Sequence, residues 1–179
     1  CVNNQVTFTD ASSLATSWNW NFGAGATPAT ATGAGPHNVT YSSAGTKSVT
    51  LSINSGADVS NQSIVINANP TAPTISAGGS TTICQGSSVN LTSSQSSGNV
   101  WSTTSTNATI AASTAGAYTV TYTDGNGCSA TSAVTPVTVN PTPTAPTISA
   151  SGSTTFCAGG SVDLTSSQLT GNVWSTGET

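Results

Sequence analysis

The feature that most restricts what this chain can fold into is an internal repeat. Residues 71–103 read TAPTISAGGSTTICQGSSVNLTSSQSSGNVWST and residues 144–176 read TAPTISASGSTTFCAGGSVDLTSSQLTGNVWST, identical at 26 of 33 positions with a constant offset of 73. The offset lays Cys84 on Cys157 and Trp101 on Trp174. A solenoid repeats every ~20–45 residues, so this period is too long for a stacked turn and suits a small β-sandwich repeated in tandem.

Proline clusters punctuate the repeat. Asn69-Pro70-Thr71-Ala72-Pro73 opens one unit and Asn140-Pro141-Thr142-Pro143-Thr144-Ala145-Pro146 opens the next. Such stretches favour extended, semi-rigid linkers. The expected units are therefore residues 1–69, residues 70–141 and residues 142–179, the last being the N-terminal part of a second copy of the middle one. Within the middle unit, Val89–Thr92, Asn99–Thr103, Thr109–Ala112, Ala117–Thr123 and Ser132–Val139 alternate as strands do. Asp124-Gly125-Asn126-Gly127 predicts a hairpin turn, because its glycines tolerate positive φ. No stretch of ten residues has helical periodicity, and the fold class expected is all-β, with tandem small β-sandwiches joined by short Pro-rich linkers.

Residues 1–69 follow the same plan with little sequence in common. Val6 and Phe8 alternate, as do Trp18, Trp20 and Phe22, then Val39 and Tyr41, then Val49, Leu51 and Ile53, then Ile64 and Ile66. Cys1-Val2-Asn3-Asn4-Gln5-Val6-Thr7-Phe8-Thr9 lines up with Cys84-Gln85-Gly86-Ser87-Ser88-Val89-Asn90-Leu91-Thr92. On this reading the sequence starts without the first strand of one sandwich and stops part-way through another, as an excerpt of a longer chain would.

Charge removes several function classes. One Lys and no Arg stand against five acids, a net charge of −4. Such a chain cannot neutralise a phosphate backbone, so nucleic acid is not an expected partner. No window is apolar over a membrane span's length. A surface rich in Ser and Thr and poor in Lys and Glu fits an extracellular protein. With four cysteines, no Cys-x-x-Cys pair and one His, neither metal nor cofactor is expected.

Cys84 and Cys128 are the natural disulfide pair within the complete middle unit, worth about 4 kcal/mol by chain entropy. Both stand at strand ends, so their bond would staple one end of the sandwich. Cys157 should pair beyond Thr179, and Cys1 has no evident partner. Alternation assigns Trp20, Phe22 and Trp101 to sandwich cores, with Trp18 on the same face as Trp20; exposed, coplanar tryptophans would instead form a sugar-binding platform. Tyr118, after Ala115-Gly116, suits a tyrosine corner. His37 has no acid or nucleophile in a local motif, and the acids are scattered singly, so no catalytic constellation is present and the chain reads as a non-enzyme. Asp124 is read as a turn residue and not a Ca²⁺ ligand. Asn38, Asn61, Asn90 and Asn107 each open an Asn-x-Ser/Thr sequon, which a Ser/Thr-rich chain acquires by chance.

Two resemblances follow. Ser17-Trp18-Asn19-Trp20-Asn21-Phe22-Gly23-Ala24-Gly25, then His37 to Tyr41, then Gly45-Thr46-Lys47-Ser48-Val49, resembles a PKD domain, with Ala24 where that family has Asp and Lys47 where it has Tyr. The middle unit, with Cys84-Gln85-Gly86, Trp101-Ser102-Thr103, Ala115-Gly116-Ala117-Tyr118 and Asp124-Gly125-Asn126-Gly127-Cys128, resembles the Ig-like repeats of giant Bacteroidota surface proteins, including adhesins of the gliding-motility type exported by type IX secretion. The resemblance implies a structural and adhesive segment of a long cell-surface protein. Its partners would be neighbouring repeats, other copies in a filament or surface glycans. The rival expectation is a carbohydrate-binding accessory module of a secreted hydrolase.

Overall fold

A computed structural model describes residues 1–178. The chain divides into two compact bodies, residues 1–139 and residues 140–179. The first body contains two separate hydrophobic cores.

The first core lies between two antiparallel sheets. The strands are β1 (Gln5–Phe8), β2 (Trp18–Asn21), β3 (Ala26–Thr27), β4 (Thr30–Thr32), β5 (His37–Tyr41), β6 (Gly45–Ile53) and β7 (Asp58–Ile66). One sheet has the order β1-β5-β3 and the other β4-β2-β6-β7. The period-2 alternation turns Trp20, Val39, Tyr41, Val49 and Ile66 inward, together with Phe22 just past β2. Val6, Phe8, Trp18, Leu51 and Ile64 pack around them. β6 and β7 form a long hairpin from Gly45↔Ile66 to Ile53↔Asp58.

The second core is built by β8 (Ile75–Ala77), β9 (Thr82–Cys84), β10 (Val89–Ser93), β11 (Asn99–Trp101), β12 (Thr109–Ala112), β13 (Gly116–Tyr118), β14 (Val120–Thr123), β15 (Ser129–Thr131) and β16 (Thr135–Asn140). They form sheets β12-β10-β8, β11-β14-β15 and β13-β16-β9. The stretch expected as one strand over Ala117–Thr123 is two. Thr119 hydrogen-bonds Ser102 through both its backbone groups, and the chain passes there from the sheet of β16 to that of β11. Each half keeps its own inward residue, Tyr118 and Val120, which is why alternation alone shows no break. The last expected strand, Ser132–Val139, likewise starts later, at Thr135, after the separate β15.

Residues 140–178 hold two strands, β17 (Ile148–Ala150) and β18 (Leu164–Ser166). Their register, Ile148↔Ser166 to Ala150↔Leu164, is that of β8 on β10, Ile75↔Ser93 to Ala77↔Leu91. The local polar contacts repeat as well. Ser93 Oγ donates to Asn99 Oδ1 at 2.8 Å, and Ser166 Oγ donates to Asn172 Oδ1 at 2.8 Å. Burial does not repeat: Leu91 is fully buried, whereas Leu164 is 50% exposed and Phe156 53%. The repeated sequence specifies the strand pair and its turns, while burial in the second core is supplied by the strands from β12 onward.

Candidate functional site at the joint between the two cores

The sequence prepares one unusual local arrangement around Asp124. Its Oδ1 accepts the backbone N–H groups of Asn126 and Cys128, each at 2.9 Å, while its own N–H donates to the Cys128 carbonyl oxygen at 2.9 Å. An Asp side chain bonding two residues on is the usual reason for its presence in turns. Here it also fixes Cys128, which is fully buried at the end of the β14–β15 hairpin.

Cys128 is bonded to Cys1, 127 residues away in sequence, with Cα atoms 5.5 Å apart. This corrects the expected Cys84–Cys128 pair. Cys84 ends β9, in the sheet of β13 and β16, and its thiol is free and exposed. Cys128 follows β14, in a different sheet, and faces the preceding unit. Cys157 is also a free, exposed thiol. The expectation that Cys1 lacks a partner is corrected with it. No rule of spacing identifies this bond, because both cysteines belong to different units.

The Cys1 end is fixed by backbone. Val2 N–H donates to the Asn67 carbonyl oxygen at 3.0 Å and Asn3 N–H donates to Tyr41 at 2.9 Å. The bond therefore ties the first unit, beside its exit into the linker, to a hairpin of the second. A link that encloses the Pro70–Pro73 linker restricts how the cores swing about it. Chain entropy puts a closure of this length at about 5 kcal/mol.

The other residues singled out in the sequence have structural surroundings. Trp20 and Phe22 are buried and stack with ring centroids 5.7 Å apart. Trp101 is buried with its indole N–H on the Asn107 carbonyl oxygen at 2.7 Å. Tyr118 is buried, and its hydroxyl donates to the Thr114 carbonyl oxygen at 3.0 Å, the backward reach of a tyrosine corner. Trp18 is half-buried and donates its indole N–H to Asp10 at 2.6 Å. Trp20 and Trp101 are thus closed off from a sugar, and no pair of exposed, stacked tryptophans occurs among the described residues.

His37 packs edge-on against Trp20 and bonds the Gly33 carbonyl oxygen at 3.0 Å through Nε2, so that nitrogen carries the proton. Lys47, where the PKD pattern has Tyr, turns inward and is 6% exposed. Its ammonium donates to Ser43 Oγ at 2.9 Å and lies 5.9 Å from the centre of the Tyr41 ring. The aliphatic stem takes the place of an aromatic while the charge stays hydrogen-bonded. Burial raises the Tyr41 hydroxyl above its ordinary pKa.

Among the described residues, no three His, Cys, Asp or Glu side chains converge as metal ligands, and no helix is long and apolar enough to cross a membrane. A groove of about 530 Å³ runs beside Ile148, Gln168, Asn172 and Trp174. Its floor is the counterpart of the second core, where Ile75, Asn99 and Trp101 occupy the equivalent positions. It is an uncovered core face before it is a ligand site.

PKD domains are non-catalytic β-sandwiches that occur in extracellular, surface and adhesive proteins. No curated protein matches the chain. The match to a known family falls on the first core: a PKD domain is detected over residues 1–69, and that part of the chain is similar to the family.

Proposed function

We propose that this chain is a structural and adhesive repeat segment of a long, secreted bacterial cell-surface protein, an adhesin stalk or extracellular filament of the gliding-motility type exported by type IX secretion in Bacteroidota. Its units are the PKD domain of residues 1–69, an Ig-like sandwich over residues 70–141 and a repeated one from residue 142. The observation that carries the proposal is the disulfide from Cys1 to Cys128, which joins two successive sandwiches across their linker. A covalent joint serves reach and stiffness, which a stalk requires and a single binding module does not. A disulfide also belongs to an oxidising, extracytoplasmic compartment. The composition agrees, since six formal charges in 179 residues leave little for salt to weaken.

The decisive experiment is the full-length reading frame with surface labelling of intact cells. Many further repeats, a C-terminal sorting domain and antibody access without permeabilisation support the proposal. A hydrolase domain in the same frame overturns it in favour of a carbohydrate-binding accessory role.

A further inference from the structure

We propose that Cys84 and Cys157 are bridging thiols, each shaped to bond the hairpin cysteine of another unit of the same build, as Cys1 bonds Cys128. The inference rests on the tandem-unit reading above and is independent of where the protein is displayed.

The three cysteines occupy one local structure. The carbonyl oxygen of Cys1 accepts the N–H of Asn4 at 3.1 Å, that of Cys84 accepts Ser87 at 3.0 Å, and that of Cys157 accepts Gly160 at 2.9 Å. The third residue of each turn is left-handed: Asn3 at φ 65°, Gly86 at φ 86° and Gly159 at φ 87°. After two of these turns comes a core strand, β1 after Cys1 and β10 after Cys84, and β18 follows the third. Glycine suits the left-handed position and Asn is the side chain that best tolerates it, so the turn is preserved even where sequence identity is lost.

Of these three equivalent cysteines, one is bonded and two are exposed thiols. The bonded one takes a partner from the following unit, on the Asp124-Gly125-Asn126-Gly127-Cys128 hairpin. That hairpin occurs once in the sequence and its cysteine is already engaged. Cys84 therefore has the bridging half of a joint without the hairpin half. Closing such a joint converts two thiols into one disulfide. The two electrons and two protons pass to a disulfide oxidant such as oxidised glutathione, which leaves as two thiols.

The test lengthens the full chain after Thr179 with a copy of residues 107–139, which supplies the third unit with its own hairpin cysteine. The protein is refolded in a glutathione redox buffer and mapped by mass spectrometry without reduction. The expected map links Cys84 to the added cysteine, leaves Cys157 alkylated, and retains Cys1–Cys128 as an internal sign of folding. A bond between Cys157 and the added cysteine overturns the proposal, because the same position would then pair within its own unit. A second variant needs no extension. In the unextended chain carrying Cys1→Ser, Cys84 and Cys128 should both remain alkylatable in the monomer. A Cys84–Cys128 bond there also overturns it. A protein retained inside the cell would refute the surface reading and leave both maps unchanged.

Discussion

Asp10 lies at the surface, yet its carboxylate is well supplied with donors: the Ser12 hydroxyl at 2.5 Å, the Ser12 N–H at 3.0 Å and the Trp18 indole N–H at 2.6 Å. The Ser12 hydroxyl first, and then Trp18, hold its pKa below the ordinary aspartate range. A depressed folded-state pKa stabilises the protein above the unfolded value of about 3.9, and that contribution is lost as pH falls through the lower folded value. The Trp18 indole N–H resonance should therefore titrate with a midpoint below about 3.9 and should stop titrating in Asp10→Asn. A midpoint at or above the ordinary value would show that these bonds do not favour the charged form. Tyr118 makes a second residue-scale case. Tyr118→Phe keeps the ring in the second core but removes the bonds to the Thr114 carbonyl and hydroxyl. A loss of about 1 kcal/mol is expected from chemical denaturation, the usual net worth of such a bond.

At the scale of elements, the repeat provides its own control. Gly98 has φ +72°, and a Cβ there would meet the Thr123 carbonyl oxygen at 2.6 Å and the Tyr122 ring at 3.0 Å. Its counterpart Gly171 has φ +74° and no atom within 4 Å. Gly171→Ala should cost only the left-handed backbone, about 1 kcal/mol. Gly98→Ala should cost that plus about 1–3 kcal/mol of overpacking against β14. Denaturation followed separately at the indole resonances of Trp101 and Trp174 reads the two costs, and equal losses would refute the account. The same contrast explains what the sequence discloses about elements. Alternation locates β10 and β12 almost to the residue, since Val89, Leu91 and Ile110 face one core and their neighbours face out. Alternation does not reveal which sheet a strand joins, so the change of sheet at Thr119 is silent. Trp20, Phe22 and Trp101 are legible because each falls on the inward side of an alternating pattern, and Tyr118 because it follows Ala115-Gly116 as a tyrosine corner does. The partner of Cys128 is not, because it is decided by how two units meet and not by a pattern within either.

For the whole molecule, the question is what the Cys1–Cys128 bond does that the linker does not. Each core has its own buried aromatic and aliphatic cluster, and Cys1 lies outside both. Breaking the bond should leave both sandwiches folded and change their coupling. Pro70 and Pro73 stiffen the linker locally, yet the backbone on either side retains rotatable bonds, so proline alone does not fix two bodies in one orientation. In the intact protein, residual dipolar couplings from strands β1–β7 and β8–β16 should fit a single alignment tensor. In Cys1→Ser, or after reduction, the two sets should require different tensors while amide shifts within each core stay in place. The entropy released sets an upper bound of about 5 kcal/mol on the stability lost if the cores unfold as one, and each core loses less if they unfold separately. Added salt should not mimic the effect, because the only basic side chain, Lys47, is buried against Ser43 and Tyr41 and makes no exposed ion pair at the joint. A single tensor that survives loss of the bond would mean that noncovalent packing already sets the joint. The disulfide would then be a lock on a formed interface, and the stiffness proposed for this segment would reside in its side-chain contacts.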